Sequence, residues 1–373
     1  MKLCCFFNYA PLYRQPIYEA IDNSFDTQFL FGREVEFQNN SGIEKLDYSI
    51  FKKKPIDFNN KVLLHRFLWR TKLLSQLFNG YDTFLITGDL SLSYIPFIIG
   101  CKILGKKVYG WGHGLKKIDG KLGPVSWWVL NNLSGFFSYG EGGRKRLIEL
   151  GYDPDKVFTI YNSLGKESAR SNAHQLESDI IKSHFNNTLP TILFIGRLTP
   201  QKKLQEIIEA AIIHQKNNIL YNILIIGDGP EKSHLQNLVH QNDLQDRIWF
   251  YGECYDEKKL NTLIYNCDLC CSPGNVGLTA LHAMNYGVPV ISHDDFETQM
   301  PEYETIVPGK TGLLFKKDNW QDFRDKIAYW ISNFNDKTIR TQIRNNCFEM
   351  IDTKWNTRNQ LRILSEVLKS DVK

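Results

Sequence analysis

The sequence predicts an α/β protein made of two doubly wound domains with mostly parallel sheets. Three observations carry this. A chain of 373 residues exceeds what one hydrophobic core organises. Short apolar runs alternate with helical stretches, the pattern of a parallel sheet covered on both faces. That pattern stops at a polar stretch and then restarts. Composition agrees: 42% hydrophobic and 23% charged residues describe a folded soluble protein and exclude disorder, collagen and a disulfide-stapled miniprotein. A net charge of +4 is too mild to imply a nucleic-acid partner. Aromatics, at 13%, suit a large interior, a sugar-contacting pocket or a membrane-interface belt.

In the first domain, expected over 1–165, the spacing predicts strands at 3–7, 83–87, 107–111 and 157–161, with helices at 13–21, 92–104 and 143–150. A polar linker with one short helix follows over 166–189. The second domain, 190–354, reads more cleanly. Its strands fall at 191–195, 222–226, 248–251, 269–272 and 288–292, and its helices at 203–214, 231–242, 258–266 and 279–286. Beyond Gly312 the chain reads as helical, and a closing amphipathic helix within 355–373 is expected to pack back on the first domain.

Nothing at the amino terminus reads as a signal peptide, because the apolar run 3–7 is short and meets Asn8. The longest apolar run, 94–104, falls far below the ~20 residues that span a bilayer. A cytoplasmic protein, peripheral on the inner face of a membrane at most, is the expectation. Cys267, Cys270 and Cys271 lack the second ligand pair of a zinc ribbon and read as buried strand thiols.

In open α/β sheets ligands bind outside the carboxyl ends of the strands. One such end is Gly196-Arg197-Leu198, with Lys202 following: two cations beside helix N–H groups, a set that suits a diphosphate. Another is Ser272-Pro273-Gly274-Asn275-Val276-Gly277-Leu278, where the N–H groups of 275–278 are expected to face phosphate or hydroxyl oxygens. Gly227-Asp228-Gly229-Pro230 and the stretch from Glu304 to Gly312 complete an ordered set.

Together these motifs resemble family 4 retaining glycosyltransferases of the GT-B fold, convincingly over about 191–315. The resemblance implies two Rossmann-like domains and transfer of a hexosyl or related sugar from a nucleotide diphosphate sugar to a hydroxyl of a glycan or lipid-linked acceptor. Surface polysaccharide or lipopolysaccharide synthesis is the implied setting. It further implies Arg197 and Lys202 on the leaving diphosphate, donor contacts from Gly196, Asn275, Val276, Gly277, Leu278, His282 and Glu304, and no metal or other cofactor. His113, in Gly110-Trp111-Gly112-His113-Gly114, matches a histidine facing the reacting sugar. Asn162 matches an asparagine at the inter-domain junction, and Arg14 offers a phosphate or acceptor contact. Both of the family's usual donor-loop glutamates are replaced, by Gly274 and His282. That departure keeps a second expectation open, a non-catalytic nucleotide-sugar-binding subunit of a glycosyltransferase complex.

Asp153-Pro154-Asp155 spells a metal-binding triplet but sits in a helix-to-strand connection, where Asp and Pro are routine turn residues. Lys52, Lys53, Lys54, Lys61, Arg66, Arg70 and Lys72 alternate with apolar residues through Phe78 at spacings that allow an amphipathic helix. An anionic membrane surface is therefore a further expected partner.

Overall fold

The computed structural model describes residues 1–33, 44–63, 67–88, 91–113, 124–165, 167–333 and 336–370. The chain divides into two compact units, Met1–Lys166 with Asn356–Lys373, and Glu167–Trp355.

The first unit runs β1 (Lys2–Phe7), α1 (Gln15–Ser24), β2 (Asp26–Gly32), β3 (Ile56–Phe58), β4 (Asn60–Leu63) and β5 (Phe67–Arg70). It continues with β6 (Thr83–Thr87), α2 (Tyr94–Ile103), β7 (Lys107–Gly112), α3 (Pro124–Asn131), β8 (Gly135–Ser138), α4 (Glu141–Glu149) and β9 (Val157–Thr159). Seven of these strands form a parallel sheet ordered β3-β2-β1-β6-β7-β8-β9, while β4 and β5 make a separate antiparallel pair. Strand alternation sorts the core into two layers. Cys4 and Phe6 of β1 join one cluster with Phe84, Phe97 and Phe136, and Leu3, Cys5 and Phe7 join the other with Phe29, Phe31 and Trp111. The large aromatic content is spent here.

The second unit contains α5 (Ile180–Phe185), β10 (Thr191–Ile195), α6 (Gln205–Lys216), β11 (Asn222–Ile226), α7 (Lys232–Gln241), β12 (Ile248–Gly252) and α8 (Glu257–Tyr265). Then come β13 (Leu269–Ser272), α9 (Leu278–Asn285), β14 (Val290–His293), β15 (Gly312–Phe315), α10 (Trp320–Asn333) and α11 (Lys337–Thr353). Its sheet is wholly parallel, ordered β12-β11-β10-β13-β14-β15, so the winding reverses between β10 and β13. That reversal is the topological switch point, where α/β sheets open a crevice. The polar stretch from Glu167 belongs to this unit, tied by Ser168 Oγ donating to Asp352 Oδ2 at 3.1 Å.

The last helix, α12 (Thr357–Ser370), returns to the first unit. Leu364 and Leu368 enter the aromatic layer with Phe7 and Phe31. Ser163 Oγ donates to Gln360 Oε1 at 2.7 Å, and Gln360 Nε2 donates to the carbonyl of Tyr161 at 2.7 Å.

Two expectations are corrected. The 52–78 segment is not an amphipathic helix: it holds β3, β4, β5 and a 3-10 turn at Leu74–Phe78. Arg70, read as a surface charge, is 1% exposed and hydrogen-bonds Thr87 Oγ1 and Asn8 Oδ1. Buried polar anchors and strand pairing override the helical spacing; Arg66 lies outside the described residues. Past Gly312 the chain first makes β15, because Leu313 and Leu314 pair with Ile291 and Ser292 before α10 begins.

The depth of α12 gives a stability test. Leu364 is fully buried, so Leu364→Ala should cost about 2–5 kcal/mol in urea denaturation. A cost below about 1 kcal/mol would mean that α12 is not part of the first unit's core.

Candidate functional site

The site in the second unit is built at the carboxyl ends of β10, β11 and β13. Gly196 and Arg197 leave β10, and Gly227 leaves β11 at φ 140°; a Cβ there would stand 2.0 Å from the Gly196 carbonyl oxygen. Only glycine permits this approach. Thr279 Oγ1, at the start of α9, donates to the Ile195 carbonyl at 3.2 Å and fixes the helix to the end of β10.

The turn after β13 is seated backbone against backbone. Gly274 N donates to the Lys202 carbonyl at 3.2 Å, and a Cβ on Gly274 would meet the Gln201 carbonyl oxygen at 2.1 Å. Lys202 closes the contact: its Nζ donates to the Asn275 carbonyl at 2.9 Å and to Asn275 Oδ1 at 3.1 Å. Burial lowers the Lys202 ammonium below the usual lysine value. With two of its three donors engaged, one N–H remains for a ligand. Arg197, by contrast, is exposed.

The N–H groups of 275–278 do not all face outward as expected. Val276 is buried, and its N–H donates to Gln299 Oε1 at 2.7 Å. Gln299 is the clamp that sequence reading missed: its Nε2 also donates to Ser292 Oγ at 2.9 Å and to the His293 carbonyl at 3.0 Å. A lone Gln in a loop gives no motif signal. Glu302 was missed for the same reason. It is 1% exposed, and its Oε2 lies 3.9 Å from where a Cβ on Gly277 would stand.

Gly277 precedes α9, and Leu278 is its first residue. His282, one turn further, is half-buried with its ring 6.0 Å from that of Tyr286. Burial pushes its imidazole down to about 4, so it is neutral at physiological pH. Glu304 lies half-buried in the 3-10 turn Pro301–Thr305.

Arg14, His113 and Asn162 belong to the first unit. Arg14 and His113 come together through Tyr139, a residue not anticipated: the guanidinium lies 4.9 Å from the Tyr139 ring centre, and the His113 ring also 4.9 Å. Asn162 is buried beside Ser163, whose N–H it accepts at 3.0 Å. Asp153 accepts the Asp155 N–H at 3.0 Å, a turn-capping contact. Cys270 is buried, and burial pushes its thiol up to about 12.

The chain resembles known proteins in sequence and in fold. Residues 177–347 match the family described as Glycosyl transferases group 1. Over that stretch the chain resembles a glycosyltransferase group 1 domain, and the chain as a whole has the GT-B fold. Anabaena HepE in complex with UDP superposes with a TM-score of 0.71 at 16% identity, over 99% of this chain and 100% of that one. The lipopolysaccharide outer core galactosyltransferase WaaB, in its apo form, gives 0.68 at 16% identity, over 100% of both. By sequence, a glycogen synthase of Leptospira biflexa is 22% identical across 55% of this chain and 44% of its own length. A poly(ribitol-phosphate) alpha-N-acetylglucosaminyltransferase of Staphylococcus aureus is 23% identical across 60% of this chain and 43% of its own length. The chain therefore spans less than half the length of these curated relatives.

The geometry separates the two cations. Lys202→Ala should strand the Asn275 carbonyl and cost about 1–3 kcal/mol of stability, while Arg197→Ala should stay within about 0.5 kcal/mol. Both should weaken nucleoside diphosphate binding at least about tenfold, read by calorimetry beside thermal melts. Equal stability of the two variants would remove Lys202 from its strut role.

His282 gives a pH test. Its folded pKa lies below the unfolded value of 6.5, so the unfolded chain takes up a proton that the folded chain refuses. Stability from this group is complete above 6.5 and is lost as pH falls toward 4. The melting temperature of His282→Gln should therefore drop less across that window than the parent's. Parallel curves would show His282 to be solvated.

Proposed function

We propose that the chain transfers a sugar from a nucleoside diphosphate sugar to a hydroxyl of a glycan or lipid-linked acceptor, with retention and without a metal, in surface polysaccharide or lipopolysaccharide synthesis. What supports this reading is that exposed Arg197 and the Lys202–Asn275 turn both follow strands at the switch point of the stretch that matches a group 1 domain. HepE, of the same fold, has been solved with UDP and with UDP-glucose.

In the transfer, the bond from the anomeric carbon to the diphosphate oxygen breaks and one to the acceptor oxygen forms. The acceptor's proton passes to the departing diphosphate. Arg197 and the remaining Lys202 N–H meet the negative charge as it develops on the leaving group, the role a divalent ion would otherwise fill. His113, held on Tyr139 beside Arg14, is assigned to the reacting sugar and acceptor. Exposed Phe78, Ile99, Ile103 and Leu104 stand near Lys102 on two elements joined by Leu77 against Gly100, and they are the apolar surface for peripheral contact with an anionic membrane. Among the described residues no helix is long and apolar enough to cross one.

The seating of Gly274 favours the second reading, a subunit that binds the nucleotide sugar without turning it over. A glutamate cannot be accommodated there without displacing the Gln201 backbone. Incubating the full chain with UDP-, GDP-, ADP- and dTDP-sugars, with and without chelator, decides between them. Release of nucleoside diphosphate that survives the chelator is expected. Tight binding with no release would establish the subunit reading, and release that requires manganese would overturn the metal-free mechanism.

A further inference from the structure

A small cavity of about 230 Å³ opens in the first unit at the amino-terminal ends of β7 and β8. Val108 and Ser134 line it, joined by the Val108 N–H donating to Ser134 Oγ at 3.1 Å. Lys102 in the last turn of α2, Asn131 at the end of α3, and Lys106 and Lys156 stand around them. The volume lies below the about 300–1,000 Å³ of drug-sized sites, so it suits a single phosphate-sized group and not a whole sugar nucleotide.

Charge sets this lining apart. Three lysines contribute to it, and among the described residues no carboxylate does. Lys102 Nζ donates to Asn132 Oδ1 at 2.5 Å, and Lys106 Nζ donates to the Tyr81 carbonyl, both neutral acceptors. Lys156 stands 4.0 Å from Asp153 Oδ2, the outer limit of an ion pair. An ammonium has three donors, so each lysine keeps N–H groups for a further acceptor. The carboxyl ends of α2 and α3 oppose them with about half a negative charge each. Against three ammonium groups, those two ends and Asp153 leave an excess of about one positive charge, which one phosphodiester balances.

Apolar surface adjoins the cavity. Ile98, Cys101 and Lys102 of α2 line it, and their neighbours Ile99, Ile103 and Leu104 are exposed, Ile103 at 78%. Phe78, 79% exposed, joins them through Leu77, which packs against Gly100. A positive pocket beside protruding apolar side chains matches a lipid, which brings an anionic head and an acyl tail in one molecule. A soluble phosphate would use the lysines and leave Phe78 and Ile103 in water.

We propose that this cavity holds the phosphodiester headgroup of an anionic phospholipid, with Lys102, Lys106 and Lys156 on its oxygens while Phe78 and Ile103 enter the bilayer beside it. The proposal rests on the membrane contact put forward above and adds a headgroup site to it; it does not depend on sugar transfer.

Flotation of the full chain at physiological salt, with vesicles of phosphatidylcholine alone or with phosphatidylglycerol added, is the measurement. The chain should float with the phosphatidylglycerol vesicles and stay behind with phosphatidylcholine alone. Lys102→Gln/Lys156→Gln removes two exposed charges, so it should melt with the parent yet bind the anionic vesicles at least about tenfold more weakly. Lys45→Gln/Lys145→Gln removes the same charge from exposed positions outside the cavity and should cost less than about threefold. Phe78→Ser/Ile103→Ser should abolish flotation. Equal losses in the two lysine doubles would overturn the headgroup site and leave the membrane contact standing on diffuse charge. No flotation by the parent would overturn the site and the membrane contact together, while nucleoside diphosphate release, assayed beside it, reads sugar transfer separately. Calorimetric binding of inorganic phosphate that Lys102→Gln/Lys156→Gln abolishes, in a parent that does not float, would overturn the lipid source and assign the cavity to a soluble phosphate.

Discussion

Between Gly274 and the backbone of Gln201 there is no room for a side chain, and the rest of the second unit's site follows from that contact. It brings Asn275 within reach of Lys202, which then bonds both the carbonyl and the side-chain oxygen of that residue. Gln299 holds the same turn from its other side through Val276. The turn is thus fixed before any ligand arrives. Preorganised donors need no rearrangement as charge develops, which is where electrostatic assistance is largest.

Legibility in the sequence followed burial. The strands β10, β11 and β13 are apolar on both faces, and their runs fix their limits almost to the residue, as happened also at β6. Glycine-marked turns likewise located the strand ends that carry Arg197 and Gly274. Beside the seven-residue buried strand β2, which the reading did not pick out, two kinds of feature escaped it. Short strands such as β3 and β15 carry too few residues to show a period, and partners distant in sequence define them. The basic 52–78 segment failed because Arg70 is buried by Asn8 and Thr87, contacts spanning 62 and 17 residues that no local pattern reveals. Gln299, Glu302 and Tyr139 were invisible for the same reason: each matters through what it touches.

Desolvation sorts the titratable groups of the second unit. His282 is held neutral by burial, so it offers its ring nitrogens as one donor and one acceptor, never as a charge. Lys202 is weakened as an acid–base group but strengthened as a strut, since its hydrogen bonds run through a poorly solvated contact. The same burial raises the thiols of Cys267, Cys270 and Cys271 and leaves them inert as nucleophiles or ligands.

The loss of the loop glutamates therefore does not leave the turn without a carboxyl group. Glu302 is buried beneath it, close to Gly277 and the first turn of α9. The Lys202 ammonium is meanwhile shared with the oxygens of Asn275. Part of the hydrogen-bonding capacity of Lys202 is thus used by the fold itself. Arg197 is exposed and carries a planar fork of donors matched to phosphate oxygens. Loss of Lys202 should accordingly disturb the geometry of the turn, whereas loss of Arg197 should leave the turn in place.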